Sequence, residues 1–472
     1  MTTAAQPIPA LTAEAPPGAR AEMAALLRLA GPLVGANLLQ MAIWASDVMF
    51  IARLGERPLA ASTLAVYLYS VLLWAVQGLV GAVAPLVAAE LGRRAHAVRE
   101  VRRTVRMGLW LGLIGCVPLV TICLAGESVL LLLGQEPALA ALAATYTVVI
   151  ALAAVPTIFA SVLRIAVAAL GRPAWALIVT AAALPVNLVG NYMLVFGKWG
   201  APELGLAGAA WASVATACVM LAAYVAICLA DRRIRRFRLF GRWWRTEWRR
   251  FGEMVRLGVP IAAIYTLEGG VFGAGAFLMG LFGVPQVAAH ALAMQAAAIA
   301  FQIPFGIGQA ATIRVGMAYG AADAAWIARA GWCALALGTG VMLLTAVLFW
   351  AAPGLIVSAY LDLDDPDNAR VVALALEFLV VVALFQLFDG CQTVAGGVLR
   401  GLQDTRVPML LGAAGYWIVG FGTAVGLAFG AGLEGIGIWV GLAVGLATVS
   451  LLLMLRWAGR QRFGLLPRQS VA

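Results

Sequence analysis

Twelve apolar runs divide this chain, each about 20–30 residues long, the length one α-helix needs to cross a ~30 Å hydrocarbon core. They lie near residues 26–51, 59–90, 104–133, 139–168, 174–196, 204–230, 253–281, 286–313, 325–350, 371–400, 406–430 and 433–457. The ~10-residue alternating segments of a transmembrane β-barrel are absent. Of the 472 residues, 63% are hydrophobic and 11% charged, against about 25% charged in soluble domains. The expected fold class is therefore an all-α integral membrane protein of twelve transmembrane helices, with the lipid bilayer as its surroundings.

The loops predict the orientation. The net charge is +10, and Lys198 is the single lysine. Basic chains often bind nucleic acid, but these arginines cluster between apolar runs, so no nucleic-acid partner is expected. Arg93, Arg94, Arg99, Arg102 and Arg103 follow the second run, and nine arginines, among them Arg242, fall in the stretch from Asp231 to Arg250 after the sixth. Arg460, Arg462 and Arg468 follow the twelfth. Odd-numbered runs end in acidic or mixed loops, with Glu56, Glu136, Glu203, Asp362, Asp364, Asp365 and Asp367, and Glu434. By the positive-inside bias both termini and the long basic loop are predicted to be cytoplasmic. Residues 1–24 have no basic region before a short apolar one and are expected to form a disordered tail.

The chain also repeats. Leu29-Ala-Gly-Pro32 corresponds to Leu257-Gly-Val-Pro260, and Gly55, Gly78 and Gly92 correspond to Gly283, Gly306 and Gly320, every pair 228 residues apart. Two six-helix bundles are expected, at 25–230 and 253–457, with a basic linker at 231–252 and a second tail at 458–472. Six is even, so both bundles enter the membrane in the same direction and their pseudo-twofold axis runs along the membrane normal. A cleft between them is the natural place for a substrate.

Several chemistries are absent. Walker A requires Gly-Lys-Ser/Thr, and the one lysine lies in Phe196-Gly-Lys198-Trp199. His96 and His290 have no metal-ligand partner at useful spacing. Cys116, Cys123, Cys218, Cys228, Cys333 and Cys391 form no C-x-x-C and are expected to pack in the apolar interior. No enzymatic signature and no cofactor are expected. An ion gradient is the remaining energy source.

Against that background three carboxylates stand inside apolar runs: Asp47, Glu268 and Asp389. An ionised carboxylate near the bilayer centre costs about 2.5–3.5 kcal/mol even on the mildest scale, a cost accepted for binding an ion, relaying a proton or meeting a cationic substrate. Asn187 and Asn191 share a helix face at i, i+4; with Asp47 they suit either a hard cation or a protonated carboxyl, and an ion pair of Asp47 with Arg53 is the structural alternative. Gln386 and Gln392 flank Asp389 by one turn each and offer it further oxygens, or contacts to a substrate. Two buried carboxylates, Glu268 and Asp389, are expected to share a proton or bind a cation, Na⁺ being possible. Met41, Trp44 and Phe50 offer an apolar wall with cation–π attraction for a flat cation, or simply face lipid.

The pattern resembles the multidrug and toxic compound extrusion (MATE) family, specifically its NorM-like branch, over residues 25–457. The resemblance rests on four stretches in this order. These are Asp47-Val-Met-Phe-Ile-Ala-Arg-Leu-Gly55; Val195-Phe-Gly-Lys-Trp-Gly-Ala-Pro-Glu-Leu-Gly205 with Trp211-Ala-Ser213; Glu268 with Val287-Ala-Ala-His290; and Phe385-Gln-Leu-Phe-Asp389 with Gly396-Gly-Val-Leu-Arg-Gly401. It implies an antiporter, working as a monomer, that exports organic cations and amphipathic drugs against inward Na⁺ or H⁺. By the same resemblance Glu268 and Asp389 form a C-terminal ion site, and Asp47, Asn187, Asn191 and Ser213 an N-terminal one. Phe385 stands where the pattern often has a tyrosine, which removes a potential oxygen, and Asn191 stands where some members carry aspartate. A lipid-linked saccharide flippase of related architecture is the alternative. It requires arginines inside the helices, where Arg164 and Arg314 are the ambiguous cases.

Overall fold

The computed structural model describes residues 18–94, 96–241, 244–363 and 365–467. Most of the expected N-terminal tail (residues 1–17), together with Arg242, Asp364 and Arg468, lies outside them. Among the described residues twelve helices are long and apolar enough to span a membrane: α1 Ala19–Ala52, α2 Glu56–Arg93, α3 Ala97–Leu124, α4 Pro137–Ala169, α5 Ala174–Phe196, α6 Gly205–Ala230, α7 Trp248–Gly280, α8 Val284–Gly320, α9 Ala324–Ala351, α10 Pro366–Gly401, α11 Arg406–Gly430 and α12 Glu434–Ala458. Among the described residues there is no strand. Large apolar side chains also point outward, Leu344 at 71% and Ile418 at 75% exposure, as lipid-facing helices require.

Helix ends differ from the expected ones where charges find partners. Residues 19–24, expected in the tail, already belong to α1, and 248–252, expected in the linker, belong to α7. Glu22 in the one and Arg250 in the other are held by ion pairs described below. Hydropathy marks only the stretch in hydrocarbon and misses turns that continue into polar surroundings.

Each half is a bundle. In the first, α1 packs on α5, α5 on α6 and α3 on α4; in the second, α10 packs on α8, α9 and α12, and α7 on α11. The halves meet through α2 with α8, which the offset maps onto itself, and through α1 with α8 and α9, and α7 with α2 and α3. These contacts exchange in pairs under the 228-residue offset, as a twofold axis demands.

Glycines make the exchange visible in atomic detail. A Cβ at Gly78 would strike the Ala262 backbone, and one at Gly306 would strike Val34. A Cβ at Gly92 would run into the Met317 carbonyl, and one at Gly320 into that of Ala89. Each pair of contacts is one contact repeated by the pseudo-axis. The turns repeat too. Gly55 (φ 107°) and Gly283 (φ 103°) adopt the same left-handed backbone before α2 and α8, a conformation open to glycine at little steric penalty.

The end of the molecule that carries the linker is tied by ion pairs between the halves. Arg314 of α8 donates from Nε and Nη2 to the two carboxylate oxygens of Glu22 of α1, at 2.7 and 2.6 Å. Trp326 Nε1 of α9 adds a bond to Glu22 Oε2 at 3.0 Å. Across the axis, Arg250 of α7 donates from Nη2 to Glu90 of α2 at 2.7 Å and to Glu100 of α3 at 3.0 Å. Glu22 and Arg250 are themselves 228 residues apart, and Glu90 stands one helical turn beyond Leu86, the counterpart of Arg314, so the two links lie in neighbouring places of the repeat with their charges reversed. Arg103 and Arg106 of α3 extend the second link to Glu247, at 2.9 and 2.8 Å.

Candidate functional site

The first half gathers its polar group around Asp47. Gly190 lies between Asn187 and Asn191 on α5, and its missing Cβ lets Ala212 of α6 approach, which brings Ser213 alongside. Asn187 Nδ2 and Asn191 Nδ2 donate to Asp47 Oδ1 at 2.9 and 2.7 Å, and Ser213 Oγ donates to Oδ2 at 2.9 Å. Ser46 Oγ donates to Asn187 Oδ1 at 2.7 Å, and Tyr146 of α4 is buried beside Ser213. The four residues selected in the sequence are thus together. Among the described residues Asp47 makes no ion pair with Arg53. Both amides present their N–H groups to the carboxylate, so the group acts as a donor cage around one acid rather than as a shell of oxygens.

In the second half, α8 and α10 cross where a Cβ at Gly397 would strike Gly308, and Thr312 Oγ1 donates across the crossing to the Gly397 carbonyl at 2.8 Å. That crossing fixes α10 and hence Asp389 and Gln392. Gln392 Nε2 donates to Glu268 Oε1 at 2.8 Å and to Asp389 Oδ1 at 3.1 Å. Tyr416 Oη donates to Gln392 Oε1 at 2.7 Å. One amide therefore bridges both carboxylates and is oriented by a phenol. Arg400 Nη1 donates to Tyr265 Oη, one turn before Glu268, at 2.6 Å, placing a positive charge on the linker side of the pair.

Tyr416 was not among the residues selected in the sequence. It lies in a π-helical stretch of α11, Ala414–Phe421, a rare wide turn frequent at functional places in helices. The site therefore has a tyrosine hydroxyl despite Phe385, whose ring packs edge-on against Phe272 and Trp439 at 5.8 and 5.3 Å. A Gly-flanked tyrosine in an apolar run, Gly415-Tyr416, was the available signal.

Of the remaining candidates, Gln386 is buried and both amide atoms lack a hydrogen-bond partner among the described residues. Trp44 is exposed and Met41 half-buried, and neither forms a hydrogen bond or ring contact with the Asp47 group. His290 is buried with its ring 5.1 Å from that of Trp439, and its Nδ1 is unpartnered. The cysteines are all free: Cys116, Cys123, Cys228 and Cys333 are buried and Cys391 half-buried, but Cys218 is exposed. The expectation of interior packing fails for Cys218, because its helix, α6, turns that face outward. No group of three or more His, Cys, Asp or Glu that could hold a metal occurs among the described residues.

Arg314, ambiguous in the sequence, is committed to Glu22. Arg164 Nη1 donates to Asn37 Oδ1 at 3.3 Å.

Comparison with known proteins fits this architecture. The MatE family model matches residues 32–193 and again 260–425, once in each half. A probable multidrug resistance protein NorM of Mesorhizobium japonicum is 46% identical over 443 residues, covering 94% of this chain and 95% of that protein. Among solved structures, a mutant of the Vibrio cholerae MATE transporter VcmN superposes with a TM-score of 0.85 at 18% identity, covering 94% of this chain and 98% of that one. The eukaryotic MATE transporter AtDTX14 superposes at 0.83 and 22% identity, covering 95% and 99%. Two six-helix halves, each recognised by the same family model, and near full-length identity to a bacterial relative lead to one conclusion: the chain belongs to the MatE family of multidrug and toxic compound extrusion transporters.

Proposed function

We propose that this protein is a cation-coupled multidrug antiporter that exports organic cations and amphipathic drugs by alternating access while Na⁺ or H⁺ flows inward. The observation that carries the reading is the Gln392 amide bridging Glu268 and Asp389. Two carboxylates that reach one nitrogen inside a membrane protein repel strongly when both are charged. A proton or a cation relieves that repulsion, which makes occupancy and conformation mutually dependent. Donors around Asp47 stabilise its ionised form while burial opposes that charge; the Ser213 hydroxyl can turn to accept from the protonated acid, so the ion proposed to exchange at this group is a proton. Trp44 and Met41 on α1 are the proposed apolar contacts for a flat cationic drug, and Gln386 and Gln392 polar ones.

The arginine distribution supports cytoplasmic termini, and the likeness to bacterial NorM proteins supports a bacterial inner membrane; the protein is proposed to act as a monomer. On that orientation the interhalf ion pairs close the cytoplasmic face. The flippase alternative requires free arginines in the cleft, whereas Arg164, Arg314 and Arg400 each have partners.

The test is efflux of ethidium from loaded cells carrying Glu268→Gln or Asp389→Asn. Both variants are expected to lose efflux while remaining folded in the membrane, and normal efflux in both refutes the site. Proteoliposomes given a Na⁺ gradient and a pH gradient separately identify the ion.

A further inference from the structure

The linker folds against the end of α6. Ile234, Phe237 and Leu239 are buried, and Arg102 Nε of α3 donates to the Phe237 carbonyl at 3.1 Å. Arg238 has a left-handed backbone, φ 46°, which a non-glycine residue keeps only where its surroundings impose it. Around this turn lies a cavity of about 480 Å³ whose walls include Leu229, Arg235, Arg236, Arg238 and Phe240. Among the described residues no carboxylate lines it. The acids at the two ends of the linker are engaged elsewhere: Asp231 with Trp175 Nε1 and Arg172, and Glu247 with Arg103 and Arg106. Arg236 Nε is buried without a partner among the described residues, and its guanidinium lies 5.2 Å over the Phe237 ring.

The positive-inside bias accounts for arginines in this loop, but not for three of them converging on one cavity around a constrained turn. Like charges so arranged repel and call for an anion. The guanidinium fork matches phosphate oxygens. The cavity adjoins the end of a membrane helix, and Leu229, at 61% exposure, gives it an apolar flank on the lipid side.

We propose that this cavity binds the phosphate of an anionic phospholipid in the leaflet on the linker side. Basic pockets at the cytoplasmic ends of transmembrane helices suit acidic headgroups, and each arginine near such a surface is worth about fivefold in binding. A lipid held there pins the covalent link between the two halves to the membrane surface.

The experiment uses the full chain in phosphatidylcholine nanodiscs doped with phosphatidylglycerol, with retained lipid read by native mass spectrometry. The triple variant Arg235→Gln, Arg236→Gln, Arg238→Gln is compared with Arg232→Gln, Arg233→Gln, Arg249→Gln, which makes the same charge change at exposed arginines outside the cavity. Retention of phosphatidylglycerol is expected to fall about a hundredfold in the first, and by at least about tenfold less in the second, whose arginines converge on no common cavity and are screened by salt. Equal losses in the two overturn the proposal, because the general charge of the linker would then be responsible. If the first triple variant does not fold, Arg238→Gln alone is expected to lose about fivefold, and an unchanged value overturns the proposal. Inorganic phosphate and glycerol phosphate form the second arm. Millimolar binding of either that phosphatidylglycerol fails to displace assigns the cavity to a soluble phosphate and overturns the lipid.

Discussion

Replacing Glu22 by Gln attacks the most deeply buried link between the halves. Side-chain exposure is 1% for Glu22 and 4% for Arg314, so water replaces neither partner while this end stays closed. Arg314 makes two bonds to the carboxylate, and Trp326 adds a third. Removing one member of such a pair leaves the other buried and uncompensated, at about 3–5 kcal/mol. Separating the halves at this end lets water solvate Arg314, so most of that penalty falls on the closed state alone. The open population is then expected to rise by about 10²–10³-fold. The glutamine oxygen still accepts from Arg314 or Trp326, which keeps the effect toward the lower figure. Ala88 is a suitable reporter, since it is fully buried against Gly316 at the contact of α2 with α8. With the six native cysteines replaced, Ala88→Cys is labelled by an impermeant maleimide applied from the linker side. Glu22→Gln should speed labelling at least tenfold. The exchange Glu22→Arg with Arg314→Glu should restore slow labelling, because position 22 has Arg250 as its counterpart and that arginine pairs with a carboxylate of the facing helix, Glu90. A folded Glu22→Gln protein labelled at the wild-type rate would mean that the pair does not hold this end closed.

Two further outcomes follow from the geometry. Tyr416→Phe removes the donor that orients Gln392, so efflux should fall about tenfold or more at unchanged expression, consistent with about 1–2 kcal/mol for a lost buried hydrogen bond; wild-type efflux would leave the phenol without a role. Outside the membrane, burial works against the charge of Asp231, but bonds from Arg233 N and Trp175 Nε1, with Arg172 beside it, outweigh that and hold the carboxyl below the usual carboxylate range. A lowered carboxylate stabilises the fold above its unfolded value and loses that contribution as pH falls. The thermal-unfolding difference between wild type and Asp231→Asn should therefore be constant near neutrality and shrink below about pH 4; a difference that grows on acidification contradicts the assignment.

Much of the architecture was legible in the residues themselves. Apolar length determines that a segment spans a membrane as a helix, because every backbone polar group in lipid must be paired and only a helix or a closed barrel pairs them all. The 228-residue repeat determined that two such bundles face the same way, since six crossings return the chain to its starting side. The three membrane carboxylates were equally plain, because charge in an apolar run has no camouflage. Other facts could not be read this way. Tyr416 became a partner of Gln392 only because a π-helical stretch turns it toward α10, and backbone hydrogen-bond register has no marker at that spacing. Arg314 met Glu22 across 292 positions, and Arg250 met Glu90 in a neighbouring place of the repeat with the charges exchanged. Sequence determines which side chains carry charge and which segments enter lipid, as these are properties of single residues and short runs. Which charges meet depends on where two bundles touch, and only the packing of small residues along the pseudo-axis, Gly92 and Gly320 among them, decides that.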